Sequence, residues 1–151
     1  MPQNPIQWFP GHMAKTRRVI KECLPQVDIV LELLDARIPY SSKNPETETI
    51  TGDKPKLTVL TKATLADPEM NKKWVEHYEK IGQKTVLIDS TTGYGINALS
   101  DAIKDVLKEK IERYSAKGME GRHLKAMIVG IPNVGKSSLI NRLAGGKKAK
   151  V

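Results

Sequence analysis

The sequence predicts a doubly wound α/β domain on a mainly parallel sheet, and three observations carry that prediction. Four short, mostly apolar runs, at residues 28–34, 57–60, 85–88 and 126–129, have the length and composition of buried strands. Segments of helical periodicity alternate with them, and no internal repeat offers a competing architecture. The last run leads into a glycine-bounded loop that opens another helix. In such a fold parallel strands are joined by right-handed helical crossovers, and ligands gather at the strands' C-terminal ends.

The chain has 151 residues, 39% of them hydrophobic, enough for one domain with a real core. Twenty-five Lys and Arg against seventeen Asp and Glu give a net charge of +8, which favours a polyanionic partner such as RNA or phosphate ligands. The single cysteine, Cys23, excludes an intrachain disulfide framework and a multi-cysteine zinc site. His12, His77 and His123 lie far apart without a ligand pattern, so any metal is expected to arrive with a nucleotide. No apolar run approaches the roughly 20 residues needed to span a bilayer, and the first five residues lack signal-peptide character. A cytoplasmic protein with no membrane partner is the expectation.

Taken in order, residues 13–23 form a basic helix, with Lys15, Arg17, Arg18 and Lys21 around Val19 and Ile20, ending before Pro25. The first strand ends at Asp35. Residues 40–56 mix Ser, Asn, Pro, Thr and Gly and read as a loop with at most one helical turn. After the second strand, Asp67 caps a helix with Pro68 at its first position, running to Ile81 before Gly82. Met70, Trp74, Tyr78 and Ile81 fall at helical spacing and read as its core face. The third strand is followed by the Gly93-Tyr94-Gly95 turn and one long helix with Leu99, Ile103, Val106, Leu107 and Ile111 on its apolar face. Residues 115–122 form an exposed connection. The helix after the fourth strand carries Leu139, Ile140 and Leu143, and the basic tail at 145–150 reads as a solvated terminus.

The chemistry concentrates at Gly130-Ile131-Pro132-Asn133-Val134-Gly135-Lys136-Ser137, which matches G-x-x-x-x-G-K-[ST] between a strand and a helix. In such a phosphate-binding loop Gly130 and Gly135 allow a tight backbone path, and successive N–H groups and the helix N-terminus face the phosphates. Lys136 compensates β- and γ-phosphate charge, and Ser137 is the expected magnesium ligand.

Together with Trp8-Phe9-Pro10-Gly11-His12-Met13 and Asp35-Ala36-Arg37-Ile38-Pro39, this loop resembles the ribosome biogenesis GTPase A family over nearly the whole chain. The resemblance implies a circularly permuted Ras-like P-loop domain over residues 1–151, in which the base-recognition motifs precede the phosphate loop. It also implies GTP and GDP with Mg2+ as ligands, the large ribosomal subunit and its rRNA as partners, and GTP hydrolysis in the complete protein. The nucleotide site it implies draws on Thr61, Lys62 and Thr64 after the second strand, on Ser90 and Thr91 after the third, and on Asn133, Val134, Gly135, Lys136, Ser137 and Ser138. For Ser90 and Thr91 an ordinary strand-to-helix turn stands as the alternative. His12 is the candidate catalytic residue, orienting or deprotonating water, against a structural reading as a turn residue beside Trp8, Phe9 and Met13. The Asp35–Pro39 segment is similarly divided between strand-end structure and a brace near the nucleotide.

Two departures from the family qualify these expectations. Where the family has Asn-Lys-x-Asp, this chain reads Thr61-Lys62-Ala63-Thr64. Loss of a carboxylate that accepts two guanine hydrogen bonds, each contributing about 1.5–3 kcal/mol, predicts at least about tenfold weaker guanine preference. Asp67 offers a substitute carboxylate only if it is not the helix cap. The chain also ends at Val151, ahead of the family's magnesium-proximal threonine loop, Asp-x-x-Gly switch and C-terminal helical domain. An incomplete site with little hydrolysis and an exposed edge on the P-loop strand are expected. Two other readings stand beside the GTPase: a non-catalytic RNA-binding or assembly module, and a P-loop nucleotide binder of relaxed base specificity.

Overall fold

The computed structural model describes residues 10–43, 45–118, 124–130 and 134–143, with side chains in the first helix described from Arg17 onward. Four strands, β1 (Ile29–Asp35), β2 (Lys56–Thr61), β3 (Thr85–Leu87) and β4 (Ala126–Val129), form one sheet in the order β3-β2-β1-β4. All pairings are parallel, with Leu31 opposite both Leu57 and Ile128, and Asp35 opposite Thr61. Every residue of β1 is buried, as expected for a central strand covered on both faces.

Alternation along β1 sorts the core into two layers. Ile29, Leu31 and Leu33, with Leu57, Val59, Val86 and Ile88, pack against Leu99, Ala102, Leu107 and Leu139 of the helical segments that follow β3 and β4. Leu34 and Leu60 face the other way, onto Tyr78, Trp74 and Val75 of α4 (Pro68–Lys80). Each fully buried Leu, Ile or Val contributes roughly 1.5–3 kcal/mol relative to exposure, so these two layers hold the sheet.

The sequence reading locates all four strands, and the Asp67 cap is present: its carboxylate accepts from the Glu69 amide at 2.9 Å. Four elements differ from expectation. Residues 40–56 contain two short helices, α2 (Pro39–Ser42) and α3 (Thr47–Thr51), where one turn at most was predicted. Pro39 supplies a pre-set first helical position, and Thr51 closes α3 by donating to the Thr47 carbonyl at 2.7 Å. The core face of α4 is centred on Asn71, Trp74, Val75 and Tyr78, whereas Met70 and Ile81 are exposed, the first in the opening turn and the second past the last helical residue.

The predicted long helix is two, α5 (Ile96–Val106) and α6 (Lys108–Ala116), separated at Leu107. Leu107 keeps its amide on the Ile103 carbonyl at 3.0 Å and buries its side chain, so the apolar face runs on through the break. Lys110 of α6 pairs with Asp28 at the foot of β1. The basic helix begins earlier than predicted, as α1 (Pro10–Cys23), and α7 (Lys136–Leu143) follows the phosphate loop with Leu139 fully buried. In the connection predicted at 115–122, residues 115–118 are exposed; the remainder, the aromatic start of the chain at 8–9 and the basic tail lie outside the described residues.

The strand order positions the site. From β1 the chain steps outward to β2 and β3, then places β4 on the opposite side of β1. The direction of winding therefore reverses between β1 and β4, and the crevice beyond their carboxyl ends is where an open α/β sheet binds its ligand.

Candidate nucleotide site

The phosphate loop leaves β4 at Gly130, where the buried Val134 side chain and the Leu33 carbonyl leave no space for a side chain. A Cβ there would stand 2.7 Å from Val134 Cγ1 and 3.2 Å from the Leu33 carbonyl oxygen. Val134 is buried in the core, pinning the loop's inner side, and Gly135 has φ +109°, a conformation that side chains rarely adopt. Lys136 folds back so that Nζ donates to the Gly130 carbonyl at 3.1 Å. Ser137 and Ser138 are exposed in the first turn of α7, while Asn133, the remaining loop residue predicted to bind nucleotide, lies outside the described residues. A loop bounded by Gly130 and Gly135, a retracted lysine and open hydroxyls fit an anionic phosphate chain with a hard cation.

The segments after β2 and β3 converge on the same edge. Thr61 is buried beneath the loop, and its hydroxyl lies 2.7 Å from the Val134 carbonyl and 3.2 Å from that of Leu34. With one proton it donates to the nearer oxygen, so it holds the loop to the sheet. Lys62 is the positive-φ non-glycine residue among those described, at φ 57°, and its Nζ stands 3.7 Å from Asp35. Thr64 is exposed, and its hydroxyl donates to Asp89 at the end of β3. Arg142 of α7 reaches across to the carbonyls of Ser90 (2.9 Å) and Thr91 (2.8 Å), tying the helix after the phosphate loop to the loop after β3.

Asp89 and Arg142 escaped the sequence reading because neither lies in a motif; their partners are 25 and about 50 residues distant in the chain. Asp89 is buried and receives the amides of Thr91 (2.9 Å) and Thr92 (3.3 Å) on Oδ1. These bonds, led by that from the Thr64 hydroxyl, hold its carboxyl below the ordinary aspartate range.

The Asp35–Pro39 segment is a self-contained brace. The Asp35 carboxylate accepts from the amide of Arg37 at 2.9 Å and from its guanidinium at 3.0 and 2.7 Å. The Arg37 side-chain bonds lower the Asp35 pKa against the opposing effect of burial. The Asp35 amide donates to Ser42 Oγ, whose proton goes to the Pro39 carbonyl, closing the turn. Through Asp35 the brace also orients Lys62. His12 falls in the first turn of α1, with its side chain outside the described residues.

Comparison with known proteins bears on this arrangement. Ribosome biogenesis GTPase A of Bacillus pumilus is 53% identical over 145 residues, covering 96% of this chain and 51% of the relative. The protein of the same name from Bacillus licheniformis is 54% identical, with the same coverage. Over 96% of its length this chain is thus similar to ribosome biogenesis GTPase A proteins. Mitochondrial ribosome-associated GTPase 1 of Mus musculus is 40% identical over 155 residues, covering 96% of this chain and 45% of that protein. A family model described as 50S ribosome-binding GTPase matches residues 125–151. The crystal structure of GNP-bound YlqF from T. maritima superposes with a TM-score of 0.62 at 30% identity, covering 89% of this chain and 49% of that one.

The fold is accordingly that of a circularly permuted P-loop GTPase domain, with the base-side loops after β2 and β3 preceding the phosphate loop in the chain. The chain spans about half the length of the curated family members it matches. Among the described residues no helix is long and apolar enough to cross a membrane.

Proposed function

We propose that this chain is the nucleotide-binding part of a cytoplasmic GTPase acting in assembly of the large ribosomal subunit, binding GTP and GDP with Mg2+. One observation carries the reading: the phosphate loop and both base-side loops sit at one edge of the sheet and are tied together by Thr61 and Arg142. In the proposal residues 1–151 are one permuted GTPase domain. Backbone N–H groups from Gly135 onward and the N-terminus of α7 hold the phosphates, with Asn133, Val134 and Ser138 contributing from the loop and the first turn. Lys136 exchanges its bond to the Gly130 carbonyl for phosphate oxygens. Ser137 would hold Mg2+ through its hydroxyl, and the ion would supply charge compensation for the phosphates.

On the base side, Lys62 lies along the ring and Ser90 and Thr91 line its edge, while Thr61 acts indirectly by fixing the Val134 carbonyl. His12 orients the attacking water. The names of the relatives, ribosome biogenesis GTPase and mitochondrial ribosome-associated GTPase, support a ribosomal partner, and the +8 net charge suits rRNA.

Displacement of a fluorescent GDP analogue in Mg2+ tests the reading. Unlabelled GDP and GTP should compete, and Lys136→Ala should weaken binding by at least about tenfold, as loss of a charge-assisted contact requires. A folded wild-type chain that binds no nucleotide would overturn it.

A further inference from the structure

The family's base-recognition carboxylate is replaced by Thr64, and on sequence grounds guanine preference should suffer. The surroundings of Thr64 supply a different answer. Its hydroxyl donates to the carboxylate of Asp89, which lies two residues past β3 and is bridged to Tyr94. The two differ sharply in position: Thr64 is exposed, whereas Asp89 is 6% exposed. Asp89 is also fixed, because Oδ1 accepts the Thr91 and Thr92 amides while Oδ2 takes the Thr64 proton. An ionised carboxylate only accepts hydrogen bonds, so the single hydroxyl proton of Thr64 is committed inward.

What Thr64 presents outward is therefore lone pairs, strengthened as acceptors by polarisation of the O–H toward a buried negative charge. We propose that Asp89 and Thr64 form a base-selecting pair, in which the buried carboxylate of Asp89 makes the exposed hydroxyl of Thr64 an obligate acceptor for the guanine edge. Thr64 is the group that meets the base, and Asp89 is a positioning residue acting through it. Guanine offers N–H donors at N1 and N2 along one edge, which such an oxygen accepts. Adenine has a bare N1 and a C–H there, so it leaves the hydroxyl without a donor and is rejected. The inference rests on the proposed nucleotide site and assigns its specificity to a pair 25 residues apart in the chain.

Exchange of the two residues is the decisive test, read as the ratio of GDP to ADP affinity by calorimetry in Mg2+, with IDP as a probe lacking the 2-amino group. Phosphate contacts are common to the three ligands, so general loosening of the loop leaves the ratio unchanged. Wild type should favour GDP over ADP by at least about tenfold, the value of one well-made polar contact, with IDP between them. Thr64→Ala, which spares the turn around Asp89, and Asp89→Asn, which keeps an acceptor for the Thr91 amide, should each bring the ratio down by about that factor.

Thr64→Asp alone sets two carboxylates in contact and should lower GDP affinity, whereas the exchanged variant Thr64→Asp/Asp89→Thr restores one carboxylate and one hydroxyl and should recover the wild-type preference. A selective wild type whose ratio is unmoved by Asp89→Asn would overturn the pair and leave the nucleotide site standing. A wild type that binds GDP and ADP equally would do the same. A folded wild type that binds no nucleotide would overturn the proposed function, and the pair with it.

Discussion

Strands β1 and β4 are both short, apolar and parallel, yet they occupy opposite situations. β1 is paired on both sides and buried at all seven positions, whereas β4 pairs with β1 alone among the described residues and none of its four positions is fully buried. One base-side loop thus hangs from β2, inside the sheet, the other from the largely buried edge strand β3, and the phosphate loop from the least buried strand. Burial cannot by itself locate that loop. Specific contacts make up the difference: Val134 and Leu139 packed into the core, the Thr61 hydroxyl on the Val134 carbonyl, and Arg142 on the β3 loop. The lesson is that a site can combine a stiff half with a half held by a few identifiable ties.

That contrast can be broken most severely at β1. Leu31→Ala leaves a cavity under both neighbouring strands and should lower unfolding stability by about 2–5 kcal/mol, while Ile128→Ala opposite it on β4 should cost about half as much or less. Denaturant titration of the two variants checks the ordering, and equal losses would contradict it. Thr61→Val is nearly isosteric and strands the Val134 carbonyl without its donor, for an expected loss of about 1–3 kcal/mol. Its affinity for GDP should fall more than its stability suggests, because the tie sits under the phosphate loop. Arg142→Ala removes two bonds made by an exposed side chain and should cost under about 1 kcal/mol in stability. It should nevertheless speed GDP dissociation, measured by stopped-flow chase.

The smallest effect is on pH dependence. Asp35 and Asp89 both have lowered pKa values in the folded state, so the unfolded chain binds protons first as pH falls. Their contribution is complete above the unfolded carboxylate pKa of about 3.9 and is lost as pH drops through the lower folded values. Asp35→Asn should flatten the acid limb of a stability-versus-pH curve and leave the limb above about pH 5 unchanged in shape.

How much of this was legible in the sequence follows from the range of the interactions. Strand positions and the Asp67-Pro68 helix start were readable because hydrophobic runs and caps are local signals. The phosphate loop was readable for the same reason, since Gly130, Gly135 and Lys136 stand within one loop. Helices α2 and α3 were hidden, as four- and five-residue helices carry no periodicity. The break at Leu107 has neither glycine nor proline to mark it, and the apolar stripe runs through it.

The base side was the least legible part. Reading Thr64 alone implied a missing carboxylate, because its contact with Asp89 depends on the register of β2 against β3. The same holds for Thr61: its partner Val134 is 73 residues away and is reached only because β4 returns beside β1.

The measurement that bears most directly on the central claim, a single guanine-nucleotide site built from a base half and a phosphate half, is hydrogen exchange with and without GDP in Mg2+. One continuous site predicts that GDP slows exchange both at Gly135–Leu139 and at the ends of β2 and β3, around residues 61–64 and 89–92, while pyrophosphate slows only the first region. Protection by GDP confined to the phosphate loop would contradict the account.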